Sequence, residues 1–168
     1  KAAVAALPSG DQAVDAHRVT RVDALVQEAR AVFFSGKADQ AGPTLQQALD
    51  LSRAVPYAVG ETKVLSLQGL LQWQQGHYDA ADELLVEAER LVGPLGDPRR
   101  HLDVLNNLGV VAKTRGRHVQ ALAHYEAAQV LARRIGDRSG EAMLLNNMGD
   151  VCLEQFNHVQ AGIYADQA

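Results

Sequence analysis

Apolar residues return along this chain at helical spacing. Leu105, Leu108, Gly109 and Ala112 fall at i, i+3, i+4 and i+7, the stripe of an amphipathic helix, and Ala121, Tyr125, Ala128, Leu131 and Ala132 form a second stripe. Between them lies "TRGR", in which Gly116 supplies a left-handed stop. Period-two alternation is absent, β-branched residues are scattered, and Ala, Leu, Gln, Glu and Arg dominate, so strands are a poor alternative. Near the start, Val14, Val19, Val22, Leu25, Val26, Ala29, Val32 and Phe33 keep helical spacing and predict one long helix over 11–35. The "LPSG" before it reads as a linker, so residues 1–10 are assigned to an N-terminal linker or cap.

The two-stripe unit recurs every forty residues, dividing 11–168 into an array with blocks 21–60, 61–100, 101–140 and a truncated 141–168. Leu105, Asn106, Asn107, Gly109, Val111, His118, Val119, Gln120, Ala121 and Ala128 are all repeated identically forty positions later, where ordinary composition would give about two matches. Earlier blocks keep only small sites: Ala41, Ala81, Ala121 and Ala161 in one column, Ala48, Ala88, Ala128 and Ala168 in another, and Ala29, Gly69, Gly109 and Gly149 in a third. Glycine inside a helix costs about 1 kcal/mol against alanine. It is tolerated here if the first helix of each pair must approach the second closely, with Tyr125 and Leu85 filling the space beside the contact. The turn glycine recurs as Gly36, Gly76 and Gly116, and Phe156 stands in its place in the fourth block.

Composition narrows the function classes. The 168 residues are 47% hydrophobic and 21% charged with a net charge of −4, which argues against a nucleic-acid surface. No stretch is long enough for a membrane span, and the single Cys152 excludes an internal disulfide and points to the cytoplasm. Twelve of the sixteen cationic residues are arginine and alanine is abundant, which suggests a bacterial source with a GC-rich genome.

A small site, alanine twelve residues on, an aromatic or leucine four beyond and another alanine after three resembles the tetratricopeptide repeat. The forty-residue period, the "GD" linkers and "LNNLG" are similar to its longer-helix branch of polarity adaptors, kinesin light chains and bacterial regulators. The resemblance covers 21–168. It implies an all-α superhelix of about four helix hairpins, and a concave groove in which asparagine before the Leu-Gly site grips peptide backbone. Asn107 and Asn147, with Asn106 and Asn146 beside them, are the candidates; the competing expectation is that the amides bond only between repeats. Further groove candidates on the first helices are Arg30, Lys63, Trp73, Lys113 and Asp150, flanked by Gln68, Gln72, Asp103 and Glu154. Cations lie towards the first two blocks and carboxylates towards the last, Lys113 excepted, which suits a ligand of opposite polarity along its length.

Catalysis finds no support. The glycines end helices and cradle no phosphate, no Ser, His and Asp set is gathered, and His118 and His158 lie a repeat apart, too far to share a metal ion. Both histidines are expected on exposed turns, and Cys152 in an apolar column. The expected function is therefore non-catalytic, without cofactor or metal: a protein-interaction module that holds a peptide or partner helix and belongs to a larger bacterial regulator or scaffold. Two alternatives are a sensor for a small signalling peptide or metabolite, and a self-associating array that dimerises through an apolar flank of the truncated fourth block.

Overall fold

A computed structural model describes residues 10–168; the linker assigned to residues 1–10 lies outside them except for Gly10. Every regular element among the described residues is helical: α1 (Gly10–Phe34), α2 (Ala41–Ala54), α3 (Ala58–Gln74), α4 (Tyr78–Val92), α5 (Pro98–Thr114), α6 (His118–Ile135), α7 (Arg138–Glu154) and α8 (His158–Gln167), with short 3-10 turns at Ala38–Gln40 and Gly93–Leu95. The long first helix is thus present as one element. Contacts divide the chain into two units, Lys1–Val64 and Leu65–Ala168, with the division inside α3.

In the first unit α1 packs on α2. Val22, Leu25, Val26 and Ala29 of α1 and Ala41, Leu45, Ala48 and Leu49 of α2 are buried, as their spacing requires. Lys63 Nζ donates to Asp23 Oδ1 at 2.7 Å, and the Tyr57 hydroxyl donates to the same carboxylate at 3.0 Å.

In the second unit α5 packs on α6, α6 on α7 and α7 on α8, with α4 against α5. Leu102, Leu105, Tyr125, Ala128, Leu144 and Met148 share one core. Here the cost of helical glycine finds its compensation. A Cβ on Gly109 would lie 2.6 Å from Tyr125 Cδ1, and one on Gly69 2.7 Å from Leu85 Cγ, so only a bare Cα admits these side chains. Gly149 differs: its nearest neighbours, Ala161 O and Tyr164 Cβ, are at 3.8 Å. Tyr125 has Ala165 as its counterpart forty residues on, so no ring presses on Gly149.

The turns follow from the same local rules. Gly116 has φ +70°, its N–H bonding Lys113 O at 2.8 Å and that of Arg117 bonding Ala112 O at 2.9 Å, the paired bonds of a Schellman stop. Phe156 adopts φ +59° with the equivalent bonds to Leu153 O and Cys152 O, and among the described residues it is the one non-glycine with positive φ. Each "GD" linker ends in an N-cap: Asp97 accepts from Arg100 N at 3.0 Å and Asp137 from Gly140 N at 2.9 Å.

Candidate functional site

On α5 and α7 the exposed and half-buried residues share the face opposite the buried stripe. On α5 these are Asp103, Asn106, Asn107, Val110, Lys113 and Thr114; on α7 they are Met143, Asn146, Asn147, Asp150, Leu153 and Glu154. Asn147 Nδ2 donates to Asn106 Oδ1 at 2.9 Å, joining the two helices through half-buried amides. Asn107, half-buried, and Asn146, exposed, make no side-chain hydrogen bond to other described residues. The paired amides are therefore used in part for inter-helix bonding. One bond engages only one hydrogen of Asn147 Nδ2 and one lone pair of Asn106 Oδ1, so an NH2 on Asn106 and a carbonyl on Asn147 keep their capacity.

Lys113 Nζ lies 3.4 Å from Asp150 Oδ2 across the same pair of helices. Trp73 Nε1 donates to Thr114 Oγ1 at 2.9 Å, which in turn donates to Val110 O, so the indole is tied to α5. In the first unit, Lys63 is paired with Asp23, and Arg30 stacks 5.7 Å above the Phe34 ring, which meets Phe33 edge-on. Of the flanking positions, Gln72 meets His77 at 2.9 Å and Asp103 lies 3.9 Å from Arg99, while Gln68 Oε1 is buried without a partner.

Three features escaped the sequence reading. Arg115 donates to Asp79, to Asp82 Oδ2 at 3.5 Å and to Tyr78 O at 3.3 Å, and Arg117 reaches Asp82 at 3.0 Å, clamping α5 to α4. The signal was available in the Asp79–Asp82 spacing on one helix turn, but repeat alignment hides it because no other block carries that set. Second, His118 is not the exposed turn residue expected. Its side chain is 25% exposed, with Nδ1 3.6 Å from Glu154 Oε2 and hydrogen-bonded to nothing, because α7 covers the start of α6; His158, at the start of α8, is exposed as expected. Third, the fully buried Tyr125 hydroxyl has no hydrogen-bond partner. Burial raises its pKa above 10.0, and the charges of Asp150 and Glu154 raise it further. Burial likewise raises the pKa of the Cys152 thiol.

Among the described residues no three His, Cys, Asp or Glu side chains gather as metal ligands would, and no helix is long and apolar enough to cross a membrane. What remains is a scaffold with a polar helical face. Helix pairs recurring every forty residues, with small residues at their crossings, define an all-α helical repeat.

Residues 101–168 match the family model described as tetratricopeptide repeat. Solved structures agree on the fold over a longer span. BtubC (BKLC) from P. vanneervenii is similar with TM-score 0.77 and 18% identity over 87% of this chain and 61% of its own. A Signal Transduction ATPase with Numerous Domains from Pyrococcus horikoshii, which has a tetratricopeptide repeat sensor, gives TM-score 0.77 and 13% identity over 89% of this chain and 23% of its own. MamA of AMB-1 gives TM-score 0.61 and 21% identity over 87% of this chain and 76% of its own. The chain thus spans less than two thirds of the first two. Among curated proteins none matches. Tetratricopeptide repeats are in general protein-interaction modules and typically not catalysts.

Proposed function

We propose that the chain is a non-catalytic module that binds a peptide or partner helix across the groove face of α5 and α7, within an array formed by residues 11–168. The observation that carries this reading is the Asn147 to Asn106 hydrogen bond, which orients two amides while leaving a donor and an acceptor unspent beside the unbonded Asn107 and Asn146. An amide pair of this kind matches the N–H and C=O of a peptide backbone and needs no particular side chain from the ligand. The context we infer is a cytoplasmic bacterial regulator or scaffold. The arginine-rich composition and the sensor role named for the Pyrococcus horikoshii protein support it.

The test is peptide display against the purified chain, followed by titration of one selected peptide into variants. Asn107→Ala with Asn147→Ala is expected to weaken binding by about tenfold or more with unchanged circular dichroism. Binding untouched by that pair of substitutions removes the reading. A self-associating array remains the second reading, because Phe156, Val159 and Ile163 expose apolar surface at 83%, 78% and 44%. Light scattering over a concentration series separates the two: dimerisation that Phe156→Ser with Val159→Ser abolishes would favour self-association.

A further inference from the structure

The exposed stripe of α7 carries two large apolar and two acidic side chains beside Asn146 and Asn147. Met143, Asp150, Leu153 and Glu154 lie within about 100° of the helix circumference, opposite its buried side. Met143 and Leu153 are 43% and 49% exposed, unusual for large apolar residues placed on one face with two carboxylates. The side chains of Asp150 and Glu154 are 60% and 47% exposed. Their neighbours satisfy them poorly: Lys113 Nζ stands 3.4 Å from Asp150 and His118 Nδ1 3.6 Å from Glu154, both beyond the about 2.9 Å of a good charge-assisted hydrogen bond.

Beneath them the Tyr125 hydroxyl, wholly buried and in the field of both carboxylates, donates to neither. Both carboxylates therefore keep hydrogen-bonding capacity, on a face that also exposes two large apolar side chains. Too few ligands gather for an inorganic cation. The chemistry that completes the stripe is a cation carried on an apolar frame.

We propose that α7 seats a basic amphipathic helix of a partner protein, with an arginine or lysine against Asp150 and Glu154 and apolar residues on Met143 and Leu153. This rests on the reading of α5 and α7 as a binding face and names the partner class for it.

The probe is a labelled helix-forming peptide with two leucines ten residues apart, spanning the about 15 Å between positions 143 and 153, and two arginines between them. Binding is read by fluorescence anisotropy. The arginine peptide is expected to bind, to weaken about tenfold on Asp150→Asn with Glu154→Gln, and to weaken further as salt rises from about 50 to about 300 mM. Met143→Ser with Leu153→Ser is expected to weaken it comparably, and a glutamate version of the peptide to bind only the Asp150→Lys, Glu154→Lys protein. Equal binding of the arginine and glutamate peptides, no loss in the carboxamide variant, or no binding of the arginine peptide at all each overturns the inference. Any of those outcomes leaves the groove reading standing if display-selected peptides still depend on Asn107 and Asn147, so the two failures are distinguishable.

Discussion

Gly109 and Gly149 occupy one column of the repeat and do different work. The first lets Tyr125 lie on its Cα, while the second faces neighbours at 3.8 Å, ordinary contact for a methyl group. Gly109→Ala should therefore cost about 1–3 kcal/mol, through displacement of the ring. Gly149→Ala should instead stabilise by about 0.5–1 kcal/mol as helix propensity is recovered. Urea unfolding midpoints of the two variants check the opposite signs. Phe156 gives a third case: an aromatic at φ +59° costs about 1–2 kcal/mol that glycine avoids, so Phe156→Gly should raise stability by about 1 kcal/mol, seen as a higher urea midpoint, even though a large side chain is removed. Tyr125 gives a pH dependence. Its folded pKa is raised above the ordinary 10.0, so the folded protein holds a proton that the unfolded chain releases. Stability is fully present below pH 10 and falls as pH rises beyond it; Tyr125→Phe should flatten that limb in alkaline unfolding curves. The close approach at Gly109 was legible because glycine in mid-helix demands a reason. The orphan hydroxyl was not, since spacing records which side chains share a stripe and says nothing of what meets their far ends.

At the scale of elements, the seams between helix pairs use different chemistry. α4 and α5 are clamped by Arg115 and Arg117 on Asp79 and Asp82, whereas Gln155, Val119 and Leu122 stand where Arg115, Asp79 and Asp82 would repeat. α5 and α7 are joined instead by the amide pair and by Lys113 with Asp150. Arg115→Met should lower stability by about 1 kcal/mol at low salt and by less at high salt, whereas Gln155→Met should show no such salt dependence. Thermal unfolding at two ionic strengths checks this. Helix type and turn positions were readable because "RGR" and "GD" act through a residue or two of local backbone. The seams were not, because they join residues more than thirty positions apart whose identity varies from block to block.

For the whole chain, the recurrence at forty residues was visible in sequence because every interior pair meets the same packing problem with the same small side chains. Ligand identity is the opposite case: it rests on exposed side chains such as Asn146 and Asp150, which the buried stripes do not dictate. A ligand bound on the proposed face would stabilise the fold by mass action. A display-selected peptide at one hundred times its Kd should add about 2.7 kcal/mol, seen as a rise in Tm that Asn107→Ala with Asn147→Ala removes.

The paired Gly-Asp links carry a further consequence. Gly96 and Gly136 both take left-handed backbone, at φ +65° and +70°, and Asp97 and Asp137 both cap the helix that follows. Excising residues 97–136 would join Gly96 directly to Asp137, restoring the same dipeptide at the splice. A gene for this protein can therefore shorten or lengthen in whole modules at that point without writing a foreign junction.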